Sequence, residues 1–381
     1  MLLLLVVLYT PKLLLAQKPE LVKFETISQL DSALEASMVK RRIPGLQIGV
    51  QGSDKNITLK NYGLSVIEKE ELVTDSTSFA VFSVTKLLTA LSIMILEEKG
   101  LLELDDPIGS YLPYTDSLIN NKYEQEIRIR HLLSHTSGLR DKEWKSATWL
   151  LTASEFPAEE EAFAKQQLSR FGKLKSCPGE TYQYSNLGFM LLAEIVKAVA
   201  GESCQDFVSN HILQPLGMAH TYFDTPSVGG SGRARGYERK GSFMAFIYKI
   251  LSIGKKGKLQ KTEKHLVIRP LYAPHPGYIG YRSTAGDLIL LMSSLGKILP
   301  AESIQQMFDK QINIEENRAM GLGWHIRRDF LGTFYRHIGG GPGFKAEVRF
   351  YENGFKIAVL GNTTFDVWDY ANLIAYNNHL F

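Results

Sequence analysis

Alternating apolar and polar residues at both ends of the chain predict β-strands. Residues 45–66 predict two strands around a polar turn at 52–56. Near the C-terminus, residues 333–362 predict three more strands. The dipeptide Asn353-Gly354 between the last two is a strong two-residue hairpin signal. Both ends of the chain are therefore predicted to contribute to a sheet.

The region between these ends is predicted to be mostly helical, because its apolar positions recur with helical spacing. Gly100 and Gly201 each follow a long apolar segment, at the position just past a helix C-terminus where glycine is favoured. A last helix is predicted after the C-terminal strands. The predicted helices cover 84–99, 187–200, 206–212, 287–295 and about 366–376.

The simplest assembly of these elements is an α+β fold with a single antiparallel sheet. Both chain ends form the sheet, helices flank it, and a mostly α-helical domain is inserted between the two ends. The predicted sheet domain contains residues 17–80 and 325–381, and the predicted helical domain contains residues 81–324.

A basic insertion at 239–269 lies within the predicted helical domain. It carries nine Lys or Arg residues against a single acid, Glu263. We favour a solvated insertion, since runs of like charge are usually solvated. The alternative is a basic amphipathic segment that rests on a membrane surface.

Residues 1–16 are predicted to be a secretory signal peptide. An apolar run of eight residues is broken at 9–12, which is too short to span a bilayer, and the small residue Ala16 precedes Gln17. No basic residue precedes the apolar run, and Leu14 stands where a small residue is expected, so an N-terminal helix is the alternative. Export to the periplasm or the extracellular space follows from the signal-peptide prediction.

Composition and simple motifs exclude several classes of function. The formal net charge is only +3, so nucleic-acid binding is not indicated. No metal-binding, nucleotide-binding or α/β-hydrolase motif occurs, and no cofactor is predicted. His131 and His135 are four residues apart, but no glutamate follows the first, so no zinc site is predicted. Free thiols are favoured for Cys177 and Cys204 in a chain of this length.

A serine and a lysine one helical turn apart are the first candidates for catalysis. Ser-x-x-Lys occurs at Ser37, Ser83, Ser252 and Ser294, but only at Ser83 do ten uncharged residues follow the lysine, Lys86. Loss of hydration lowers the pKa of an amine, and a neutral amine can take the proton of a nearby hydroxyl. The alternative is a helix-capping serine with a lysine that reaches solvent.

The second candidate motif is Tyr-x-Asn in a predicted turn before an apolar helix. Tyr184 could shuttle a proton beside a cation. The side-chain amide of Asn186 could hold a substrate carbonyl. The alternative for Asn186 is a cap for the helix that follows.

The third candidate motif is His-x-Gly in a predicted strand. His337 and Gly339 would face one side of the sheet, and a glycine in a strand marks close approach by another backbone or a ligand. The N–H groups of Gly340 and Ser83 could then stabilise an oxyanion. A glycine-rich β-bulge is the alternative.

In this order, the three motifs resemble those of the serine β-lactamase and penicillin-binding-protein superfamily, in its class C β-lactamase-like branch. That branch also holds esterases, D-aminopeptidases and carboxypeptidases. The resemblance covers about 43–362 and implies a β-lactamase/transpeptidase-like fold. Surrounding phrases are similar too: IRHLLSHTSGL, PGETYQYSNLGF, ILQPLGM, RSTAGDL and HIGGGPGF.

The resemblance implies a role for each candidate residue. It implies that Ser83 is the serine that becomes acylated and that Lys86 and Tyr184 handle protons. Asn186 would orient the substrate through its amide, and His337 to Gly339 would form the strand beside the substrate. The N–H groups of Ser83 and Gly340 would form the oxyanion hole.

One departure from the family pattern bears on the substrate. True β-lactamases usually have lysine where His337 stands, with threonine in place of Ile338. Histidine is mostly neutral at pH 7, so attraction for a substrate carboxylate weakens. We therefore expect a cofactor-free serine hydrolase that acts on an ester or a peptide amide. The substrate is expected to be a small molecule or a peptide. The alternatives are a D-alanyl carboxypeptidase or weak β-lactamase, and a non-hydrolysing penicillin-binding sensor or scaffold.

Overall fold

Most of the chain is described by the computed structural model. The predicted signal peptide at 1–16 and parts of the basic insertion, 251–258 and 262–263, lie outside the described residues. Within the described residues, no helix combines the length and the apolar character that a bilayer span requires. The described residues are 21–52, 54–140, 149–156, 159–228, 230–250, 259–261 and 264–381.

The strands of the described residues form antiparallel sheets. In chain order they are β1 (Gly45–Gln51), β2 (Ile57–Val66), β3 (Glu71–Leu72), β4 (Phe79–Ala80), β5 (Tyr222–Phe223), β6 (Gly236–Arg239), β7 (Leu259–Lys261), β8 (His265–Ile268), β9 (Tyr281–Ser283), β10 (Ile312–Glu315), β11 (Arg318–Met320), β12 (His325–Asp329), β13 (Gly332–Gly341), β14 (Phe344–Tyr351) and β15 (Lys356–Gly361). The largest sheet has nine of these strands, in the order β10-β11-β12-β13-β14-β15-β1-β2-β3. Two smaller sheets have the orders β4-β9-β5 and β6-β8-β7.

The helices lie mainly between β4 and β10, as the apolar spacing predicted. A π-helical turn, Ser209–Leu213, joins two of them. In chain order they are α1 (Ile27–Arg41), α2 (Thr85–Glu98), α3 (Tyr114–Leu118), α4 (Ile129–Leu133), α5 (Glu160–Phe171), α6 (Asn186–Ala200), α7 (Cys204–Val208), α8 (Gln214–Leu216), α9 (Phe243–Ile250), α10 (Ala285–Ser293), α11 (Ala301–Phe308) and α12 (Val367–Tyr376).

The predicted α+β fold, with one antiparallel sheet built from both chain ends, is confirmed. β1 pairs with β15 from the other end of the chain and with β2. The sheet also takes in β10 and β11, which belong to the stretch assigned to the helical domain by sequence. These strands have four and three residues, too few to show a periodic pattern.

The C-terminal hairpin differs from its prediction in loop length. Tyr351 N–H donates to Phe355 O, and Gly354 N–H donates to Tyr351 O, so the loop has three residues rather than two. Gly354 has a φ of 90°, a left-handed conformation that glycine adopts without strain and that closes three-residue hairpins. The Asn-Gly pair located the turn correctly but not its type.

Each face of the large sheet is covered by helices, so that the sheet is the middle layer. Leu46, Ile48 and Val50 of β1 face one side, where they pack with residues of α1 and α12. α10 packs against β1 and β15 on the other side. Every residue of β1 is buried, as expected for a central strand covered on both faces.

The helical region has its own apolar centre in α2 and α6. All residues of α2 from Thr85 to Leu96 are buried, including Lys86. α2 and α6 lie side by side, and both end before a glycine with positive φ, Gly100 and Gly201. Cys177 and Cys204 are both free thiols, and Cys204 is buried.

The described part of the basic insertion is structured. β6, β8 and β7 form a small sheet, and Tyr248 of α9 packs with Ile268 of β8. Phe243 and Phe246 of the same helix are exposed, at 69% and 57%. The insertion therefore has an apolar helix, which its charge count did not indicate.

A buried charged cluster lies between β14 and α12. The side chains of Arg349 and Glu347 are both fully buried, with Nε of Arg349 2.7 Å from Oε1 of Glu347. Arg349 also donates to Asn372 Oδ1 at 2.8 Å, and its guanidinium lies 4.3 Å from the centre of the Trp368 ring. Burial of two charges is tolerated because each finds hydrogen-bond partners.

Replacing Arg349 by Met is expected to lower the free energy of unfolding by about 3 kcal/mol, since a buried carboxylate loses its main partner. Chemical denaturation measures the change. Arg328 on β12 is exposed, and Arg328→Met serves as the matched control, with an expected change within about 0.5 kcal/mol. Equal denaturation midpoints for the two variants would contradict the role given to the cluster.

Candidate active site

Ser83 lies in a tight 3-10 turn, Phe82–Val84, that leads directly into α2. Phe82 has a φ of 45°, which costs a non-glycine residue on the order of 1 kcal/mol. Its ring packs 6.4 Å from that of Phe344, so the turn is held by contact with the sheet. Backbone strain of this kind is typical of functional sites.

Lys86 is fully buried one turn after Ser83. Its Nζ lies 3.1 Å from Ser83 Oγ, 2.8 Å from Asn186 Oδ1 and 2.9 Å from Tyr278 O. The rings of Tyr184 and Phe189 surround the amine at 5.0 and 5.6 Å. The lysine therefore does not reach solvent, and the alternative of an extended surface lysine does not apply.

Tyr184 completes the contacts of the serine hydroxyl. Its phenolic oxygen lies 2.8 Å from Ser83 Oγ. The next residue, Ser185, caps α6 by accepting the N–H of Gly188 at 3.1 Å. Asn186 is therefore not needed as the helix cap, and its amide is directed at Lys86 instead.

The carbonyl of Tyr278 was missed by sequence reasoning. Thr89 on α2 donates to Gly277 O at 2.8 Å. The N–H of Gly277 donates to His275 Nδ1, which leaves Nε2 of that ring to donate to Glu194 Oε1 at 2.9 Å. The loop is thereby fixed to α2 and α6 with its carbonyl on Lys86. A backbone acceptor carries no signature in the side-chain sequence.

His135 was also missed, since it was considered only as a zinc ligand. Its Nδ1 accepts the N–H of Ser185 at 3.2 Å, and its carbonyl accepts the N–H of Gln183 at 2.7 Å. Its ring lies 4.4 Å from that of Tyr184. His135 thus holds the turn that carries the tyrosine. The phrase HTSG was the only available signal.

β13 runs beside the serine turn, as the third motif predicted. A Cβ on Gly339 would lie 1.8 Å from Val81 O, so only glycine fits there. The close neighbour of Gly339 is thus the chain's own backbone. Gly340 lines the cavity with Ser83, and an oxyanion hole formed by their N–H groups stays a prediction.

His337 projects from β13 toward His325, and their rings lie 5.5 Å apart. Burial, the neighbouring His325 and Lys86 hold the pKa of His337 well below its usual value. Burial and the nearby Arg336 lower the pKa of His325 to about 3. Both imidazoles are therefore neutral at pH 7.

Five of the candidate residues line one cavity of about 1480 Å³, whereas Lys86 lies buried behind Ser83 and Gly339 packs against Val81. Ser83, Tyr184, Asn186, His337 and Gly340 all line it. The described residues contain no group of three or more His, Cys, Asp or Glu side chains that could hold a metal ion. A serine hydroxyl flanked by an amine and a phenol can act as a nucleophile, because a neutral amine can take its proton and the phenol can donate one.

Comparison with known proteins places this geometry in a family. The protein flp of Staphylococcus aureus (strain COL) is 29% identical over 221 residues, 56% of this chain. That match spans 42% of the length of flp, less than half of it. Penicillin-binding protein 4* of Bacillus subtilis (strain 168) is 26% identical over 92% of this chain and 75% of its own length.

A solved structure and a family model agree with these relatives. A penicillin-binding protein homologue from Pyrococcus abyssi superimposes with a TM-score of 0.74 at 25% identity, over 93% of this chain and 78% of that one. The family model described as Beta-lactamase matches residues 30–377. The chain therefore belongs to the beta-lactamase family.

Proposed function

We propose that this protein is a serine hydrolase that forms an acyl-enzyme on Ser83, with an ester or a peptide amide as substrate. One observation carries the proposal: Ser83 Oγ lies between Lys86 Nζ at 3.1 Å and the phenolic oxygen of Tyr184 at 2.8 Å. Membership of the beta-lactamase family supports it.

In this proposal Lys86 acts as the base in its neutral form. A neutral amine has two N–H groups and one lone pair, whereas an ammonium has three N–H groups and no lone pair. Asn186 Oδ1 and Tyr278 O can only accept, so they take the two N–H groups. The lone pair is then directed at Ser83, whose hydroxyl hydrogen it can receive as the oxygen attacks the substrate carbonyl.

Tyr184 serves the leaving group in this proposal. Its O–H gives a proton to the departing alkoxide or amine, and the phenolate left on Tyr184 then takes the proton that Lys86 received from Ser83. Water then attacks the ester on Ser83 while the same pair accepts and returns its proton. Hydrolysis ends with the free acid and the original protonation states.

The neutral His337 favours substrates without a carboxylate beside the scissile bond. A D-alanyl carboxypeptidase or a weak β-lactamase is therefore the secondary expectation. Release of D-alanine from a muropeptide, measured against turnover of nitrophenyl esters, discriminates between these activities.

A penicillin-binding scaffold without turnover is the second candidate function. It is favoured by the name of the Bacillus subtilis relative, a penicillin-binding protein. A stable adduct with labelled penicillin that never turns over supports the scaffold, and repeated turnover of any ester excludes it.

Ser83→Ala is expected to abolish covalent labelling by a fluorophosphonate probe, because the probe reacts with an activated serine oxygen. Gel fluorescence measures the labelling, and circular dichroism checks the fold. Ser92 is buried two turns further along α2, where it donates to Leu88 O, so Ser92→Ala is the matched control and should label normally. Labelling of the Ser83→Ala variant would place the nucleophile elsewhere.

His337→Lys is expected to raise kcat/KM for benzylpenicillin relative to a neutral nitrophenyl ester by roughly tenfold, since a cation would then face the penicillin carboxylate. The ratio of the two values is the readout. His379→Lys near the C-terminus, where the side chain is exposed, is the control. An unchanged ratio in the His337 variant would refute its role in setting carboxylate preference.

The free energy of unfolding is expected to depend on pH in a way that shows whether His325 is neutral in the folded protein. Its pKa is about 3 in the folded chain and about 6.5 when unfolded. Below pH 6.5 the unfolded state binds a proton that the folded state does not, so stability is lost as pH falls from about 6.5 toward 3.

His325→Gln should therefore make the loss of unfolding free energy between pH 6 and 4 shallower, by up to about 1.4 kcal/mol per pH unit. Denaturant titrations at several pH values measure it. His379→Gln is the control, because that side chain is exposed. Parallel curves for the parent and the His325 variant would show that His325 is not held neutral.

A further inference from the structure

The cavity around Ser83 is lined by cations. Among its described lining residues, seven are Arg or Lys and none is Asp or Glu. The whole chain, by contrast, has 43 basic and 40 acidic residues. The excess of positive charge is therefore a local property of the site.

Three of these cations have acidic partners. Arg318 pairs with Glu315 at 2.8 Å, and Arg336 pairs with Glu347 at 3.3 Å. Lys345 lies within electrostatic range of Asp366 and Glu347. Because these three cations have acidic neighbours within the protein, we do not infer a ligand from them.

The cationic rim, defined as Arg170, Lys173 and Lys175, differs from them. All three side chains are exposed, and the described residues supply no carboxylate that forms an ion pair with any of them. Arg140 also lines the cavity, but we leave it out of the rim because residues 141–148, which follow it, are not described. Glu180, the acid nearest in sequence, does not line the cavity.

The local fold aims the rim at the cavity. Leu174 is buried, whereas Lys173 and Lys175 on either side of it are exposed, so both lysines lie on the solvent side of this segment. Arg170 lies near the C-terminus of α5, where a cation also complements the helix dipole. The dipole accounts for Arg170, but it does not account for two further lysines beyond the end of the helix.

Hydrogen bonds connect the rim with the turn that carries Tyr184. Lys175 N–H donates to Gly138 O at 2.9 Å. Gly138 follows His135 by three residues in the sequence. The adjacent Ser176 Oγ accepts from Gln183 Nε2 at 3.3 Å, and Gln183 precedes Tyr184. The rim therefore stands beside the turn that carries the tyrosine, on the wall of the same cavity.

We propose that the cationic rim binds an anionic group of the substrate that is remote from the scissile carbonyl. The inference rests on the proposed function, and it narrows the substrate to esters or amides with a carboxylate or phosphate in their distal part. Lysine and arginine are both charged at neutral pH, and exposed cations at a cavity mouth attract anions before contact. A carboxylate beside the scissile carbonyl would instead meet His337, which is neutral and does not attract it.

The test compares two substrates that differ only in charge: the nitrophenyl monoester of adipic acid and its methyl ester. Each rim cation can interact weakly with the anion of the substrate. We therefore expect the parent protein to prefer the anionic ester, with a kcat/KM that is roughly fivefold to tenfold higher at low salt. The preference should fall toward one in about 0.5 M NaCl, where screening is strong.

A charge-matched pair of variants isolates the rim. R170Q/K173Q/K175Q should bring the preference close to one. Lys40, Lys69 and Lys310 are exposed elsewhere, and K40Q/K69Q/K310Q, which removes the same net charge, should retain it. A ratio near one in the parent, or an unchanged ratio in the rim variant, would overturn the inference.

A binding measurement separates failure of the inference from failure of the proposed function. If neither ester is turned over, the proposed function fails. The Ser83→Ala variant is then titrated with a dansyl-tagged adipate and its methyl ester, followed by fluorescence anisotropy. Severalfold tighter binding of the anion, lost on R170Q/K173Q/K175Q, supports the rim without catalysis. Equal affinity for the two ligands would contradict it.

Discussion

The buried amine of Lys86 is the contact on which the site depends. Its three hydrogen-bond partners come from the turn before α2, from the start of α6 and from the loop before β9. A buried polar group left without a partner costs about 1–3 kcal/mol. The elements that supply these partners are therefore held in one arrangement by the same atom that acts as base in the proposed function. Stability of the helical region and geometry of the site are coupled through it.

The second constraint is the contact between the helical region and the sheet. β13 approaches the serine turn so closely that Gly339 leaves no space for a side chain against Val81. Phe82 takes a left-handed conformation and places its ring against the end of the same hairpin. Ser83 is thus held against a strand of the sheet, and strain at Phe82 is supported by packing of its ring against Phe344. A substrate between these two elements meets backbone that is already fixed.

Features set by side-chain patterns could be predicted from the sequence. The long apolar run after Ser83 indicated a buried Lys86, and the order of the three motifs indicated the fold. Features set by backbone geometry could not. The carbonyl of Tyr278 has no side-chain signature, the register of the last hairpin depends on the conformation of Gly354, and β10 and β11 are too short for a periodic pattern. His135 was visible in the sequence, but only its tertiary contact with Tyr184 reveals what it does.

The charges of the site divide into two zones with different consequences. Next to the scissile carbonyl, burial keeps His325 and His337 neutral, so this zone offers dipoles and hydrogen bonds rather than net charge. At the mouth, Arg170, Lys173 and Lys175 stay solvated, where they retain their charge without a desolvation cost. In the proposed function, long-range attraction would therefore act on the distal part of the substrate, while short-range contacts would decide the position of its carbonyl. A substrate with its negative charge far from the reacting bond satisfies both zones at once, whereas one with the charge beside that bond satisfies only the outer zone.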